Sequence, residues 1–324
     1  LSDGDEVLGT TLGLDLPALG VSPLHRDLLL EFDWFADALD CGSHSHRPTP
    51  QAIGIFIQAM AQADLPNPDG STGVHIVADY GQGGVFTGGE QVPDADGVLT
   101  FGVGSPEYLA IKDGHFAIER QGYFHYVILP HRYFSTSNSS GQAELPGDDM
   151  IVSLYCAGTD QNVANTIMHE LGHNLLLRHG GDVDLNYKPN YNSVMNYLYQ
   201  FPGVDNDCTP PGNGVLSYSY GTHVALNENA LNESEGICGL AAGVGIDWDD
   251  DGVLSTTPTV VRDINRSPST GAGDGILGVL TDHDDWDSLF FTSVLFGARG
   301  AARLAIPQEV VSCPAVPERA PGGR

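Results

Sequence analysis

A glutamate flanked by two histidines, near the middle of the chain, has the residue types and spacing of a zinc site. The residues are His169-Glu170-Leu171-Gly172-His173. Histidines four residues apart lie on one face of a helix, a turn apart, so both imidazoles can reach one Zn²⁺ at about 2.0–2.1 Å. The glutamate then flanks the metal, where it can act as a general base. The pattern therefore predicts a catalytic zinc site on a helix.

A third ligand is needed, because catalytic zinc usually has three protein ligands and an open position for water. His179 is the natural candidate, ten residues beyond His169. On an uninterrupted helix it would point roughly 80° away from His169, so the helix must end and the chain must turn before it. Gly180-Gly181 allows a sharp change of direction just after it. Asp182 and Asp184 are the competing third ligands.

The arrangement His169-Glu170-x-x-His173-x-x-x-x-x-His179 resembles the extended zinc motif of the metzincin metallopeptidases. That family has glycine where the helix breaks, and this sequence has Leu176 there. A non-glycine residue with a positive φ costs on the order of 1 kcal/mol. We therefore expect either strain at Leu176 or a different turn through residues 177 and 178.

A second segment, Ser193-Val194-Met195-Asn196-Tyr197, resembles the Met-turn of the same family. The resemblance implies that Met195 forms an apolar, polarisable floor beneath the three histidines without binding the metal. It also implies that Tyr197 lies near zinc and helps to stabilise the transition state. The alternatives are an ordinary buried methionine and a tyrosine that only packs.

The resemblance implies a zinc-dependent endopeptidase. Zinc would lower the pKa of its water towards about 7, and Glu170 would take the proton of that water and pass it to the leaving amine. Two alternatives stay open: a zinc peptidase with a carboxylate third ligand, and a catalytically inactive extracellular binding module stabilised by metal. A structural metal site does not require a general base such as Glu170, and this argues against the inactive binding module.

The elements that must position these residues alternate between strands and helices in the first half of the chain. The strongest helix prediction covers residues 161–177, and the second half is irregular until a helix near residues 284–296. The other predicted elements are strands at 28–35, 74–80, 123–129 and 149–155 and helices from Thr49-Pro50 and over 107–120. We therefore predict an α+β, metzincin-like fold with a mixed twisted sheet. Its parts are a loop-like N-terminal segment (1–22), an upper subdomain (about 23–180), a loop-rich lower subdomain (about 181–310) and a tail (311–324).

The metzincin resemblance also implies an edge strand that binds extended substrate. Residues 140–145, before the strand at 149, are the predicted edge. An edge strand offers unpaired N–H and C=O groups to a peptide backbone, so recognition would depend on backbone rather than on side chains. We expect a protein or peptide substrate and a monomeric enzyme.

The charge of the chain excludes other classes of partner. There are 42 Asp and Glu residues against 13 Lys and Arg, a formal net charge of -29. Such a chain repels nucleic-acid phosphates and anionic membrane surfaces. Residues with hydrophobic side chains make up 41% of the sequence, which is enough for a globular core and argues against an acidic disordered protein. No apolar stretch approaches the ~18 residues of a membrane span.

Part of this negative charge is predicted to bind calcium. Asp247-Trp248-Asp249-Asp250-Asp251-Gly252 matches the start of an EF-hand loop, but Pro258 stands where the loop needs its last glutamate. We therefore predict a looser structural Ca²⁺ site of Asp247, Asp249 and Asp251, completed by Asp263 or Asn265. The acidic residues at 274–287 form a second candidate site. The alternative there is a helix start capped by Thr281 or Asp282.

The five cysteines contain no C-x-x-C pair, which argues against a cysteine metal site. One or two disulfides in a secreted protein are the better interpretation, with Cys208–Cys238 as the expected bond. The chain begins at Leu1 with no signal-like segment, which fits a mature secreted chain. The remaining histidines are most simply surface or core residues. Among them His44-Ser45-His46 is the pair most worth examining as a ligand pair.

Overall fold

The computed structural model describes residues 1–37, 41–94, 96–134, 137–156, 158–291 and 309–313. The chain divides into two compact units, one of Leu1–Leu176 with Phe290–Arg324 and the other of Leu177–Leu289. Within the described ranges, none of the helices has the length and apolar character required to cross a membrane.

The described strands confirm the predicted α+β class with a mixed sheet. In chain order they are β1 (Arg26–Asp37), β2 (His44–Ser45), β3 (Val74–Asp79), β4 (Gln91–Val92), β5 (Val98–Leu99), β6 (Phe124–Leu129), β7 (Arg132–Tyr133), β8 (Gly141–Leu145), β9 (Asp149–Val152), β10 (Leu226–Asn227), β11 (Val279–Leu280) and β12 (Glu309–Ser312). The helices are α1 (Asp3–Leu8), α2 (Pro50–Ala61), α3 (Pro106–His115), α4 (Asp160–Asn174) and α5 (Asp285–Ser288).

The first unit is built around β1, the central strand of an eight-stranded sheet in the described part of the chain. β1 pairs in parallel with β3, β4 and β6 and antiparallel with β2. Beyond β6 the order is β9, β8 and β12, with β9 parallel to β6 and the last two pairings antiparallel. Leu28-Leu29-Leu30 is apolar at successive positions because β1 is buried on both faces. The small pair of β5 and β7 is parallel.

Helix starts follow local capping chemistry. The hydroxyl oxygens of Ser2, Thr49, Ser105 and Thr159 accept backbone N–H groups in the first turns of α1, α2, α3 and α4. The predicted start of α2 at Thr49-Pro50 is confirmed. The prediction that residues 1–22 are loop was wrong over α1, since Ser2 caps that helix and acidic residues favour its positive end.

Three helices end earlier than predicted. α3 ends at His115, because Gly114 weakens its last turn and Phe116 is extended, and a 3₁₀ turn follows at Ile118–Arg120. α4 ends at Asn174, three residues short of the prediction. α5 ends at Ser288, where the chain leaves the helix and Phe290 N–H donates to the Leu175 carbonyl. Residues 292–296 of that predicted helix lie outside the described residues.

The C-terminal end of α4 is tied to the sheet by Asn174. Its side-chain amide donates to the carbonyl oxygens of Glu144 in β8 (3.0 Å) and Asp149 in β9 (3.1 Å). Its side-chain oxygen lies 3.0 Å from Nδ1 of His125 in β6. Every residue of α4 from Ala164 to Asn174 is buried. The helix therefore has a fixed position against β8 and β9.

An ion cluster lies in the interior of the first unit. One guanidinium nitrogen of Arg120 lies 2.5 Å from the Glu31 carboxylate and 2.7 Å from that of Asp79. Both carboxylates are fully buried. Burial raises the pKa of Glu31 to about 8, and the charge of Arg120 opposes this shift. Arg120 is therefore the cation that offsets the cost of burying these two carboxyl groups.

The second unit has little regular structure. β10 and β11 form an antiparallel pair over a small apolar core that includes Leu231, Ile237 and Ile264. Two buried carboxylates accept hydrogen bonds from the backbone of its loops. Glu228 accepts from two backbone N–H groups and Glu233 from three. These bonds satisfy backbone donors that the loops would otherwise leave buried and unpaired.

Two disulfides join four of the five cysteines. Cys208 is bonded to Cys238, as expected, and Cys41 is bonded to Cys156. Cys313 is buried and lies outside both disulfides.

Candidate metal centre

Helix α4 places His169 and His173 side by side. Their ring centroids are 4.9 Å apart with the planes at 84°, and neither side chain is exposed to solvent. The four-residue spacing sets both rings on one face, and the Thr159 cap and the Asn174 anchor hold the two ends of the helix. Two imidazoles are thus presented together inside the first unit.

A third potential ligand of this unit comes from the C-terminal segment. Cys313 Sγ lies 3.8 Å from His173 Nε2, and single ligand atoms of His169, His173 and Cys313 all lie within 4.8 Å of one another. The Cys313 N–H donates to the Gly141 carbonyl, which continues the β8–β12 pairing. Sequence reasoning placed Cys313 in a tail and missed it; the odd number of cysteines was the signal.

Glu170 is buried against the backbone of β8. A methyl group built on Gly141 would lie 2.6 Å from Glu170 Cδ, so only glycine leaves room for the carboxyl group. Both carboxyl oxygens are buried, and no N–H or O–H group of the described residues donates to them. Burial raises the pKa of Glu170 well above its ordinary range, and a hydrogen bond from the Cys313 side chain opposes this shift. A carboxylate in such surroundings needs a nearby cation or a proton, so the residues fit a bound metal ion.

The strand predicted to receive substrate is paired on both sides. β8 pairs with β9 along one edge and with β12 along the other, in antiparallel register from Glu309 opposite Leu145 to Ser312 opposite Gln142. The predicted strand itself is confirmed as Gly141–Leu145, but its outer edge is covered by the C-terminal segment of the chain.

The chain turns sharply after α4. Leu176 has a φ of +81°, so this leucine adopts the conformation for which glycine is usual. Its N–H donates to the His173 carbonyl, and its side chain is 40% exposed. The sequence allowed either strain at Leu176 or a different turn through residues 177 and 178, and the strain at Leu176 is what occurs.

In the second unit, His179 is buried and packs on Tyr197. The ring centroids are 4.2 Å apart. The carbonyl of the adjacent Gly180 accepts from the ammonium of Lys188, which is itself buried and also donates to the Thr281 carbonyl. The segment carrying His179 is therefore fixed by a side chain that the sequence pattern did not single out.

Both aspartates that compete with His179 are exposed to solvent. The carboxylate of Asp184 forms an ion pair with Arg178, at 2.9 Å, and is 68% exposed. An exposed, paired carboxylate is a poor candidate for a buried zinc ligand.

The segment at 193–197, predicted to be a Met-turn, is a turn held by the side chain of Asn196. Met195 is fully buried, and its N–H donates to Ser193 Oγ. The Asn196 amide donates to the carbonyl oxygens of Lys188 and Tyr191, while its oxygen accepts from two N–H groups. Sequence reasoning named the methionine and the tyrosine but missed the asparagine that holds the turn.

Two carboxylates of the acidic loop at 247–251 lie near a third carboxylate from another segment. Among the described residues, ligand oxygens of Asp247 and Asp249 lie within 4.8 Å of each other and of Glu233, which the sequence motif did not include. Asp251 and Asp263 lie outside that group, and one carboxylate oxygen of Asp263 accepts from the Gly275 N–H.

The N-cap prediction for the last helix was wrong. Asp284, not Thr281 or Asp282, caps α5 by accepting from the Asp287 N–H. Asp282 accepts from the Ser219 hydroxyl and the His223 N–H, so its carboxylate stabilises a loop.

No family model and no curated protein matches the chain. Among solved structures, the crystal structure of archaemetzincin from Methanopyrus kandleri is similar over 54% of this chain and 82% of that chain. The sequence identity is 17% and the TM-score is 0.31. A TM-score this low does not support a conclusion about the fold or the activity of this chain.

Proposed function

We propose that this chain is a zinc-dependent peptidase whose metal is held by His169, His173 and His179. One observation carries the proposal: two buried imidazoles face each other on α4, with the buried carboxyl group of Glu170 between them in the chain. His169, His173, His179 and Cys313 are all buried, and each can offer one ligand atom. Imidazoles at this spacing suit Zn²⁺.

The choice of His179 as third ligand is supported by the turn that precedes it. His179 follows Leu176 by three residues, so their Cα atoms are at most about 11 Å apart. The positive φ of Leu176 breaks the direction of α4, as a third ligand at this spacing requires. Asp182 and Asp184 are exposed, which disfavours the carboxylate alternative.

When bound, zinc supplies an electrophile that polarises a peptide carbonyl and makes water more acidic. Glu170 takes the proton of the attacking water and delivers it to the leaving nitrogen. Burial suits this role, since it raises the pKa of the carboxyl group and so makes its carboxylate a stronger base. Tyr197, which packs on His179, is proposed to place its hydroxyl where negative charge develops on the substrate.

The proposed substrate is a peptide in extended conformation along β8. The proposal is supported by residues 309–312, which pair with that edge as an antiparallel strand. A substrate would have to take the place of β12. The two disulfides favour an oxidising compartment, so we propose an extracellular protein.

One observation favours a second function. Cys313 adds a thiol to the buried histidines, and a zinc ion with four protein ligands is the closed arrangement of structural sites. In that case the chain would be a metal-stabilised binding module without activity. Cys313→Ser separates the two functions: a peptidase keeps or gains activity when the thiol is removed, whereas a structural site loses zinc affinity and stability.

The deciding experiment is hydrolysis of an unfolded protein substrate by the zinc-loaded chain, with and without a zinc chelator. Glu170→Ala should retain zinc and lose at least about 100-fold in rate, the usual contribution of a general base. Glu90→Ala, at an exposed side chain, is the matched control and should leave the rate unchanged. Proteolysis that survives in Glu170→Ala would refute the mechanism.

The third ligand is tested by the zinc content of the α4 site. His179→Ala should lose most of the zinc bound at His169 and His173, while Asp184→Ala should keep it. The opposite pattern would establish the carboxylate alternative.

A further inference from the structure

Three histidines outside the α4 site converge in the first unit. His44 Nε2 lies 3.0 Å from His46 Nε2 and 3.2 Å from His131 Nδ1, and His46 Nε2 lies 3.1 Å from His131 Nδ1. The three ring nitrogens therefore form a nearly equilateral triangle. His44 and His46 are half-buried, and His131 is 1% exposed.

Hydrogen bonding among the rings does not account for this triangle. Each ring nitrogen carries either one proton or one lone pair. Among three such atoms, at least two must be of the same kind, so at least one contact of 3.0–3.2 Å brings together two protons or two lone pairs. A cation at the centre would be attracted to all three lone pairs.

The tautomer of His44 is set for metal binding. Its Nδ1 lies 2.6 Å from the Gly42 carbonyl oxygen, which can only accept, so Nδ1 carries the proton. In the neutral ring this leaves the lone pair on Nε2, the nitrogen that faces the other two histidines. A ligand histidine that donates its other N–H to a carbonyl is the usual arrangement around bound metals.

The backbone holds the three histidines from different elements. β2 pairs with the end of β1, with His44 opposite Asp37, and the His46 N–H donates to the Phe35 carbonyl. On the other side, the His131 N–H donates to Gly97, and its carbonyl accepts from the Ser153 hydroxyl. Hydrogen bonds of the backbone therefore fix the positions of the three histidines, independently of the contacts among their rings.

We propose that His44, His46 and His131 form a second metal site, for a divalent transition ion such as Zn²⁺. A metal about 2.05 Å from each nitrogen would subtend N–metal–N angles of about 94–103°, between octahedral and tetrahedral values. Imidazole ligands favour Zn²⁺, Cu²⁺ or Ni²⁺ over Ca²⁺ or Mg²⁺. The nearby Cys41 is in a disulfide, so it does not serve as a thiolate ligand.

The site opens on a cavity of about 270 Å³ that is lined by His44, His46 and Tyr155, among others. This leaves room for a solvent molecule or an anion as a fourth ligand. The metal would join the segment between β1 and α2 to the chain between β6 and β7, so its first effect would be to stabilise this end of the sheet.

The test is a zinc count on the full chain without an affinity tag. A His173→Ala background disables the α4 site and should bind one zinc ion per chain. Adding His44→Ala and His46→Ala should lower the affinity for that remaining zinc ion by more than about 100-fold, since loss of outer-shell partners alone lowers metal affinity 10–100-fold. His115→Ala, a histidine of α3, is the control. Zinc binding that is unchanged in the variant lacking His44 and His46 would overturn the proposal.

A measurement on the unmodified protein avoids any dependence on folding of the variants. Diethyl pyrocarbonate modifies imidazole nitrogens, and the sites can be mapped by mass spectrometry. Zn²⁺ should slow modification of His44 and His46 at least 10-fold and leave His115 unchanged. Equal rates with and without Zn²⁺ would overturn the proposal, whether or not the α4 site binds metal.

Discussion

Gly141→Ala should disable the proposed peptidase without removing its zinc ligands. The new methyl carbon would lie 2.6 Å from Glu170 Cδ, whereas carbon atoms pack at about 3.5–4.0 Å. The carboxyl group must therefore withdraw by about 1 Å. A misplacement of that size costs about 100-fold in rate, which corresponds to ~2.7 kcal/mol in the activation free energy.

The assay compares kcat/KM for a peptide substrate, zinc content and Tm in the same preparations. The methyl group would also lie 2.8 Å from the Ile151 carbonyl oxygen, so we expect some loss of stability, about 1–3 kcal/mol for an overpacked interior. Gly158→Ala is the matched control, because the nearest atom to its added methyl is 3.6 Å away. That variant should keep both activity and stability.

The reasoning would be refuted if Gly141→Ala kept kcat/KM within about threefold of the unmodified chain. A variant that loses zinc or unfolds at the assay temperature would instead show that the methyl disturbs the whole sheet edge. Zinc content and circular dichroism separate these two results from a displaced Glu170.

Three further predictions concern stability. Arg120→Met should lower the free energy of unfolding by about 3–5 kcal/mol in denaturant titrations, because it leaves Asp79 and Glu31 buried without their cation; Arg262→Met, whose partner carboxylate is 79% exposed, should cost less than about 1 kcal/mol. The pKa of Glu31 is about 8 in the folded chain against an ordinary 4.5, so between these values the folded chain holds a proton that the unfolded chain has lost. The contribution of Glu31 to the free energy of unfolding should therefore fall as pH rises from about 5 to about 8. Glu31→Gln should flatten that part of the pH–stability curve. Ca²⁺ should raise Tm in the unmodified chain but not when the aspartates at 247 and 249 are both changed to asparagine, and an equal rise in both would count against a site in this loop.

Capped helices and buried strands were predictable from the sequence, because their signals are local. Thr49-Pro50 marks the start of α2, and the apolar run at 28–35 marks the central strand. Helix ends were less predictable, since α3 and α5 stop where the chain begins contacts with distant segments or changes backbone conformation. A sequence window contains the cap but not those contacts.

The sequence alone determined that His169, Glu170 and His173 lie together, because a four-residue spacing becomes proximity on any helix. Only the tertiary structure brought Cys313 beside His173 across 140 residues, and His131 beside His44 across 87. Those contacts depend on strand pairing. β12 pairs with β8, and β2 pairs with β1, through backbone hydrogen bonds that no side-chain pattern in the sequence specifies. Local sequence therefore brings the candidate catalytic residues together, whereas the position of Cys313 beside His173 and the second histidine cluster depend on the fold.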